Sequence, residues 1–114
     1  LERLYLYGTG ITGVVPAVLA GLTGLKSLDL GGNAITNLGN LASLTGLETL
    51  KIGANDLTDA RLATVTWANM TALRHLELAD NRITNPAALA VLTDLTELNL
   101  HLKLCVTCIW RITI

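Results

Sequence analysis

The chain has 114 residues, of which 51% are hydrophobic, 15% are charged and none is phenylalanine, and its formal net charge at pH 7 is −1. This length accommodates one ordinary domain with an aliphatic, leucine-based core. Charges this sparse and balanced offer no basic surface for nucleic acid. No apolar stretch reaches the roughly 18 residues that a membrane span needs, so no membrane insertion is expected within this segment.

The first predicted element is a short strand within residues 1–11, LERLYLYGTGI, which has apolar residues at positions one, four, six and eleven. The pattern returns in segments that begin at residues 25, 47, 73 and 95, after intervals of 24, 22, 26 and 22 residues. Two apolar residues two apart share one face of a strand, while their neighbours face the other way. One coil cannot bury its own apolar face, so the coils must stack and their strands must pair in parallel.

Between the strands the apolar spacing changes to three, which predicts short helical or 3-10 return segments with one buried stripe. In the second copy this stripe consists of Ile35, Leu38, Leu41, Leu44 and Leu47.

The pattern L-x-x-L-x-L-x-x-N-x-L resembles the leucine-rich repeat family over about residues 1–100. The resemblance implies an α/β repeat solenoid, an arc with a parallel β-sheet on its concave face and short helical or 3-10 returns on its convex face. Residues 101–114 are expected to form an irregular tail, which is either a cap or sequence foreign to the repeat protein. Because the chain begins at Leu1 inside a motif, we expect a fragment of a longer protein.

The return segments are similar to three subtypes of this family. The first, ITGVVPAVLAGLTG, resembles the plant-type repeat, and ITNLGNLASLTG and ITNPAALAVLTD resemble the class found in bacterial internalins and a cytoplasmic phosphatase regulator. The third, which contains Trp67 where phenylalanine is usual, resembles the typical extracellular class. The subtypes leave the compartment open, with the balance towards an extracellular or cell-surface location over a cytoplasmic one.

Asn33, Asn55 and Asn81 occupy the ninth position of copies two to four, whereas Thr9 and Lys103 stand there in the first and fifth copies. An inward-facing amide must be hydrogen-bonded, and at a turn it can serve backbone groups of its own coil and the adjacent one. We predict a structural asparagine ladder, in which Asn55→Ala costs about 1 to 3 kcal/mol.

The outward residues of each strand are expected to line the concave face, which is the face that this family usually uses to bind proteins or peptides. Asp29, Lys51 and Glu77 would be neighbours of alternating sign, either neutralising one another on a solvated face or setting the register of a partner. Gly31, Gly53 and Ala79 would leave a shallow trough beside them. The predicted partner-binding residues are Arg3, Tyr5, Tyr7, Asp29, Lys51, His75, Glu77, Glu97 and Asn99.

A metal site is the competing interpretation for one end of this face, where His75, Glu77, Glu97 and His101 fall on adjacent strands. We disfavour it, because the ligands would lie on a flat sheet without supporting groups. The sequence contains no phosphate-binding glycine loop, nucleophile elbow or H-E-x-x-H motif, so no enzymatic activity, cofactor or metal is expected.

Asn69-Met70-Thr71 is an N-glycosylation acceptor triplet on a return segment, away from the expected binding face.

The last residues alternate in polarity from Leu98 to Ile114, which is the period of an extended strand. Cys105 and Cys108 would then point to opposite faces, which argues against a redox or zinc C-x-x-C site. The predicted function is a protein-protein interaction module that binds on its concave face. The alternative is an architectural spacer, or a fragment with no binding function of its own.

Overall fold

The computed structural model describes residues 1–101 and 109–113, with side chains through Leu100. The main sheet has six strands in the order β1-β3-β5-β6-β7-β8. The first five are parallel, one from each predicted copy, and β8 pairs antiparallel with β7. Their bounds are β1 Arg3–Tyr5, β3 Ser27–Asp29, β5 Thr49–Lys51, β6 His75–Glu77, β7 Glu97–His101 and β8 Ile109–Thr113.

The return segments carry short helices at the places where the apolar spacing is three. The 3-10 helices are η1 Ala17–Gly21, η2 Leu41–Ser43, η3 Trp67–Asn69 and η4 Ala87–Val91, and one α-helical turn, α1, spans Asp59–Leu62. The predicted repeat solenoid, with a parallel sheet on one side and 3-10 returns on the other, is therefore confirmed.

A second, two-stranded parallel sheet joins the first two return segments, and the sequence pattern did not predict it. Its strands are β2 Thr12–Val14 and β4 Ala34–Asn37. The register shifts between Gly13 and Val14, and Gly13 has a φ of 70°, in the left-handed region that only glycine enters without a steric penalty. The extra sheet adds inter-coil hydrogen bonds at the N-terminal end of the array.

The core is a single stack of aliphatic side chains between the sheet and the returns. Leu28, Leu50 and Leu76, the central residues of three neighbouring strands, are fully buried, and they pair with one another in register. Burying a leucine side chain stabilises a fold by roughly 1.5 to 3 kcal/mol. Repetition of this contact from coil to coil fixes the strand register, since a slip of one residue would turn every leucine outward.

Three asparagines bind the turns of successive coils together. Asn55 accepts a hydrogen bond from the Ile35 N–H at 3.0 Å, and its amide nitrogen donates to the carbonyl oxygens of Leu30 at 3.0 Å and Ile52 at 3.2 Å. Asn33 and Asn81 repeat this geometry one coil before and after.

Each carbonyl oxygen between two of these turns accepts from two asparagines. The Leu30 oxygen accepts from both Asn33 and Asn55, and the Ile52 oxygen accepts from both Asn55 and Asn81. Both lone pairs of each oxygen are thereby used. The amides form a continuous chain of polar contacts through the apolar interior, and Asn55 and Asn81 are themselves buried.

The eighth residue of every one of the first four copies adopts a left-handed backbone conformation. The φ angles are 62° at Gly8, 65° at Gly32, 53° at Ala54 and 59° at Asp80. For residues with a side chain this conformation costs roughly 1 to 2 kcal/mol. It persists in the third and fourth copies because the turn must bring the following asparagine inward.

The long third return is clamped to the fourth by a carboxylate. Asp59 accepts hydrogen bonds from the backbone N–H groups of Thr84 at 2.8 Å and Asn85 at 3.0 Å, and from the Thr84 hydroxyl. Burial raises the pKa of Asp59, but these three hydrogen bonds outweigh that effect and hold the pKa below its ordinary value of 3.8. The folded state therefore favours the ionised carboxylate.

This clamp predicts a pH-dependent contribution to stability. Because the folded-state pKa lies below the unfolded one, the contribution is fully present above the unfolded pKa and is lost as the pH falls through the folded pKa. At pH 6, Asp59→Asn should lower the free energy of unfolding by about 1 kcal/mol. This is less than the contribution of a buried hydrogen bond to a charged group, because solvent screens the carboxylate at this site. Urea unfolding at several pH values below 4 should show the difference from wild type shrinking.

Asp94 provides the matched control, since it is exposed on the turn that follows η4. Asp94→Asn should change the free energy of unfolding by less than about 0.5 kcal/mol. A deficit for Asp59→Asn that is the same at pH 3 and pH 6 would contradict a role for the carboxylate charge.

Candidate functional site

The register of the main sheet places the predicted binding residues, except Tyr7, in two rows across adjacent strands; Tyr7 follows the end of β1. One row runs along the first residue of each strand and contains Arg3, Ser27, Thr49, His75 and Glu97. The other row lies two residues further along and contains Tyr5, Asp29, Lys51, Glu77 and Asn99. Both rows lie on the side of the sheet opposite the leucine core, because side chains alternate along a strand.

The second row contains Asp29, Lys51 and Glu77, and we call it the charged row. Its charges are not neutralised by ion pairs with one another. Lys51 is exposed and is paired in register with Asp29 on one side and Glu77 on the other. Among the described residues, ion pairs within 4.0 Å join Lys26 to Glu48, His75 to Glu97 and Arg82 to Asp56, and none of these pairs includes Lys51. Instead, Asp29 Oδ1 accepts a hydrogen bond from the Gly31 N–H at 2.9 Å.

Tyr7 packs on the glycine pair of the next coil. A Cβ atom on Gly32 would lie 2.7 Å from the Tyr7 Cζ atom, and one on Gly31 would lie 3.0 Å from Cδ2, so a side chain at Gly32 would overlap the ring. One face of the phenol ring is therefore covered by backbone, while the side chain is still 66% exposed. The trough predicted along Gly31, Gly53 and Ala79 is consequently filled by this ring at its Gly31 end.

The remainder of the trough is an open groove of about 220 Å³, which we call the Tyr7 groove. At its floor, Glu77 Oε1 and the Ala79 carbonyl oxygen converge above Gly53, where a Cβ atom would lie 3.0 Å and 3.1 Å from them. The residues that line it are Tyr7, Asp29, Gly31, Lys51, Gly53, Ala54, Glu77, Ala79 and Asp80.

A second groove lies at the other end of the strands, next to Tyr5, and has a volume of about 300 Å³. We call it the Tyr5 groove. It includes Lys26 and Glu48, whose side chains form an exposed ion pair with Nζ and Oε2 3.9 Å apart. The lining residues are Glu2, Arg3, Tyr5, Lys26, Ser27, Glu48 and Thr49.

Sequence reasoning missed part of both linings. Glu2, Lys26 and Glu48 hold the second position of their copies. A charged residue directly before each of these three strands could have indicated the lining of the Tyr5 groove. Ala54 and Asp80 hold the eighth position, where the left-handed turn brings them to the rim of the Tyr7 groove. Where a residue other than glycine holds the eighth position, the sequence does not reveal the left-handed turn.

His75 and Glu97 lie side by side, with His75 Nδ1 3.4 Å from Glu97 Oε2. Both side chains are about one-third exposed, at 32% and 29%. Within the described residues, no group of three or more histidine, cysteine, aspartate or glutamate side chains is arranged to hold a metal ion. The side chain of His101 lies outside the described part of the chain.

Asn69 is the last residue of η3, exposed on the return side of the solenoid. Cys105, Cys108 and Lys103 lie outside the described residues. In the parts of the chain that the structure covers, no helix has the length and apolar character required to cross a membrane.

The stacked coils, the asparagine-bonded turns and the open parallel sheet define a repeat solenoid, and family comparison identifies its type. Two models described as leucine-rich repeats match the chain, over residues 1–57 and 69–92. The chain belongs to the leucine-rich repeat family. No curated protein sequence matches it significantly.

Several solved structures have the same fold. An internalin from Listeria monocytogenes is 34% identical with a TM-score of 0.77, and the match covers 89% of this chain and 28% of that one. Internalin C2 from the same organism is 33% identical with a TM-score of 0.60, and the match covers 88% of this chain and 51% of that one. The present chain thus spans about half or less of the length of these proteins.

A third similar structure is the leucine-rich-repeat ectodomain of a plant membrane receptor kinase from Arabidopsis thaliana. It is 29% identical with a TM-score of 0.65, and the match covers 88% of this chain and 15% of that one. That ectodomain was solved in complex with CASPARIAN STRIP INTEGRITY FACTOR 2.

Proposed function

We propose that the chain is a non-enzymatic binding module that recognises a protein or peptide on the concave face of its sheet. The observation that carries the proposal is the placement of its exposed aromatic residues. Tyr5 and Tyr7 are 63% and 66% exposed, and both lie at the sheet rather than on the returns. Tyrosine is enriched at binding hot spots because it combines a large apolar area with a hydrogen-bonding hydroxyl group.

The charged row supports the same proposal. Lys51 stands between two carboxylates without forming an ion pair with either. Charges held in a fixed register but not bound to one another remain available to a partner, for which they set orientation and association rate. A face that served only as a solvated surface would gain nothing from two exposed tyrosines beside such a row.

The test is a random-peptide display selection on the 114-residue chain. Selected peptides are then measured against a concave variant carrying Tyr5→Ala, Asp29→Ala, Lys51→Ala and Glu77→Ala. We expect this variant to lose at least tenfold in affinity, about 1.4 kcal/mol, since it lacks an aromatic anchor and the charged row.

The matched control is a convex variant with four exposed return residues changed, Val18→Ala, Arg61→Ala, Thr66→Ala and Val91→Ala. Circular dichroism and urea unfolding must show that both variants fold. Selected peptides should bind the convex variant as they bind wild type. Peptides that bind all three proteins equally would refute concave-face recognition, and a selection that yields no peptide would favour the architectural spacer.

A further inference from the structure

We infer that the Tyr7 groove accepts an arginine side chain, presented by an extended segment of the partner. This inference rests on the proposed function and adds the chemistry of one contact to it. At about 220 Å³ the groove is smaller than the about 300 to 1,000 Å³ typical of small-molecule sites, and it is open along one side. Its size suits one side chain of a longer ligand.

The groove has an aromatic wall. The Tyr7 ring rests with one face on the backbone at Gly31 and Gly32, and this packing fixes its orientation. The side chain is nevertheless two-thirds exposed. A ring held in place by the neighbouring coil offers a prepared surface for a planar cation, and the guanidinium group of arginine stacks on aromatic rings more readily than an ammonium group does.

The groove also has a carboxylate at its floor. Glu77 Oε1 and the Ala79 carbonyl oxygen both lie close to the position that a Cβ atom would take on Gly53. The Ala79 oxygen already accepts a hydrogen bond from the Ala54 N–H at 2.8 Å, so the Glu77 carboxylate is the acceptor that a ligand can engage. A guanidinium group can donate two parallel hydrogen bonds to the two oxygens of one carboxylate.

The charge balance favours a cation over an anion. Among the described residues that line the groove, the carboxylates of Asp29 and Glu77 stand on either side of the ammonium group of Lys51. The Asp29 carboxylate has one oxygen, Oδ1, engaged with the Gly31 N–H. Lys51 opposes a second cation, so removing its charge should strengthen binding, whereas removing a carboxylate charge should weaken it. An anionic ligand would show the reverse dependence.

The experiment is an NMR titration of the ¹⁵N-labelled chain with two capped peptides, acetyl-Gly-Ser-Arg-Ser-Gly-amide and its citrulline analogue. Citrulline has nearly the shape of arginine without its charge. We expect saturable shifts of the Gly31, Gly53 and Ala54 amide signals with the arginine peptide only. Equal shifts with both peptides, or no shift with either, would overturn the inference.

Four single variants sharpen the test. Glu77→Gln and Tyr7→Ala should each lower the affinity for the arginine peptide, and Lys51→Gln should raise it. Each change should be at most about fivefold, as expected for exposed charge and stacking contacts. Val18→Ala is the control, since Val18 is exposed on the return helix η1 and should leave the titration unchanged. Weaker binding of the arginine peptide to Lys51→Gln would contradict the inference, because removing a positive charge from the groove should not weaken a cation held there.

The outcome is separable from that of the proposed function. Selected peptides that require the concave face but lack arginine, or that ignore Glu77→Gln, would leave the proposed function standing and refute the arginine site. If the selection yields no peptide, the proposed function fails, and the titration with the arginine peptide alone still decides whether the groove binds a guanidinium group.

Discussion

Replacing Trp67 by alanine should lower the free energy of unfolding by about 3 to 5 kcal/mol, the usual range for removing a buried tryptophan. The side chain is only 2% exposed. Its indole N–H donates to the Leu62 carbonyl oxygen at 2.9 Å, which ties η3 to the end of α1. The substitution therefore opens a cavity and removes a hydrogen bond in the longest return segment.

Trp67→Phe separates these two effects. Phenylalanine keeps most of the apolar volume but cannot donate a hydrogen bond, so we expect it to cost about 1 to 2 kcal/mol, for the lost bond and the volume difference. Both variants are measured by urea unfolding followed by circular dichroism. A Trp67→Ala midpoint within error of wild type would show that the third return can collapse around the missing ring.

Changing Asn55 is expected to have the next largest effect. Asn55→Ala removes the acceptor of the buried Ile35 N–H and should cost about 1 to 3 kcal/mol. The Leu30 and Ile52 oxygens keep their bonds to the neighbouring asparagines, which limits the loss. Asn55→Asp should be at least as destabilising, because it places a carboxylate oxygen against those carbonyl oxygens in a buried site.

Thr9 is the matched control for the ladder, as it holds the same position in the first copy but is exposed. Its hydroxyl donates to the Leu6 carbonyl oxygen at 2.8 Å. Thr9→Ala should cost less than about 0.5 kcal/mol, as surface substitutions usually do. If Asn55→Asp were tolerated as well as Thr9→Ala, amide donation to the carbonyls would not matter to stability.

The strand positions and their register could be predicted from the sequence because they depend on a local pattern repeated five times. Leu28, Leu50 and Leu76 pair in the structure because each is the central residue of its copy. The register of the concave rows follows from the same pairing. The family assignment is confirmed for the same reason, as the pattern is both the family signature and the cause of the fold.

Features that depend on non-repeated contacts were not predicted. The sheet of β2 and β4 forms between two return segments of different subtype, and neither contains a strand pattern by itself. The Asp59 clamp joins residues 25 positions apart through a carboxylate that has no counterpart in the other copies. The Tyr7 ring could not be placed over Gly31 and Gly32 from the sequence, because a side-chain rotamer is decided by local packing.

Copies of unequal length are accommodated because the junctions between the first four coils share one hydrogen-bond pattern. The intervals of 22, 24 and 26 residues differ only in the returns, whereas each of the three ladder asparagines bonds to the same two carbonyl positions. The same hydrogen bonds could therefore form between other pairs of coils. Deleting residues 33–54, one 22-residue unit, would place Asn55 directly after Gly32, where it would donate to the Leu6 and Leu30 oxygens in place of Asn33. The array is modular at the level of its hydrogen bonds, and its length is a variable that evolution or an engineer can change one coil at a time.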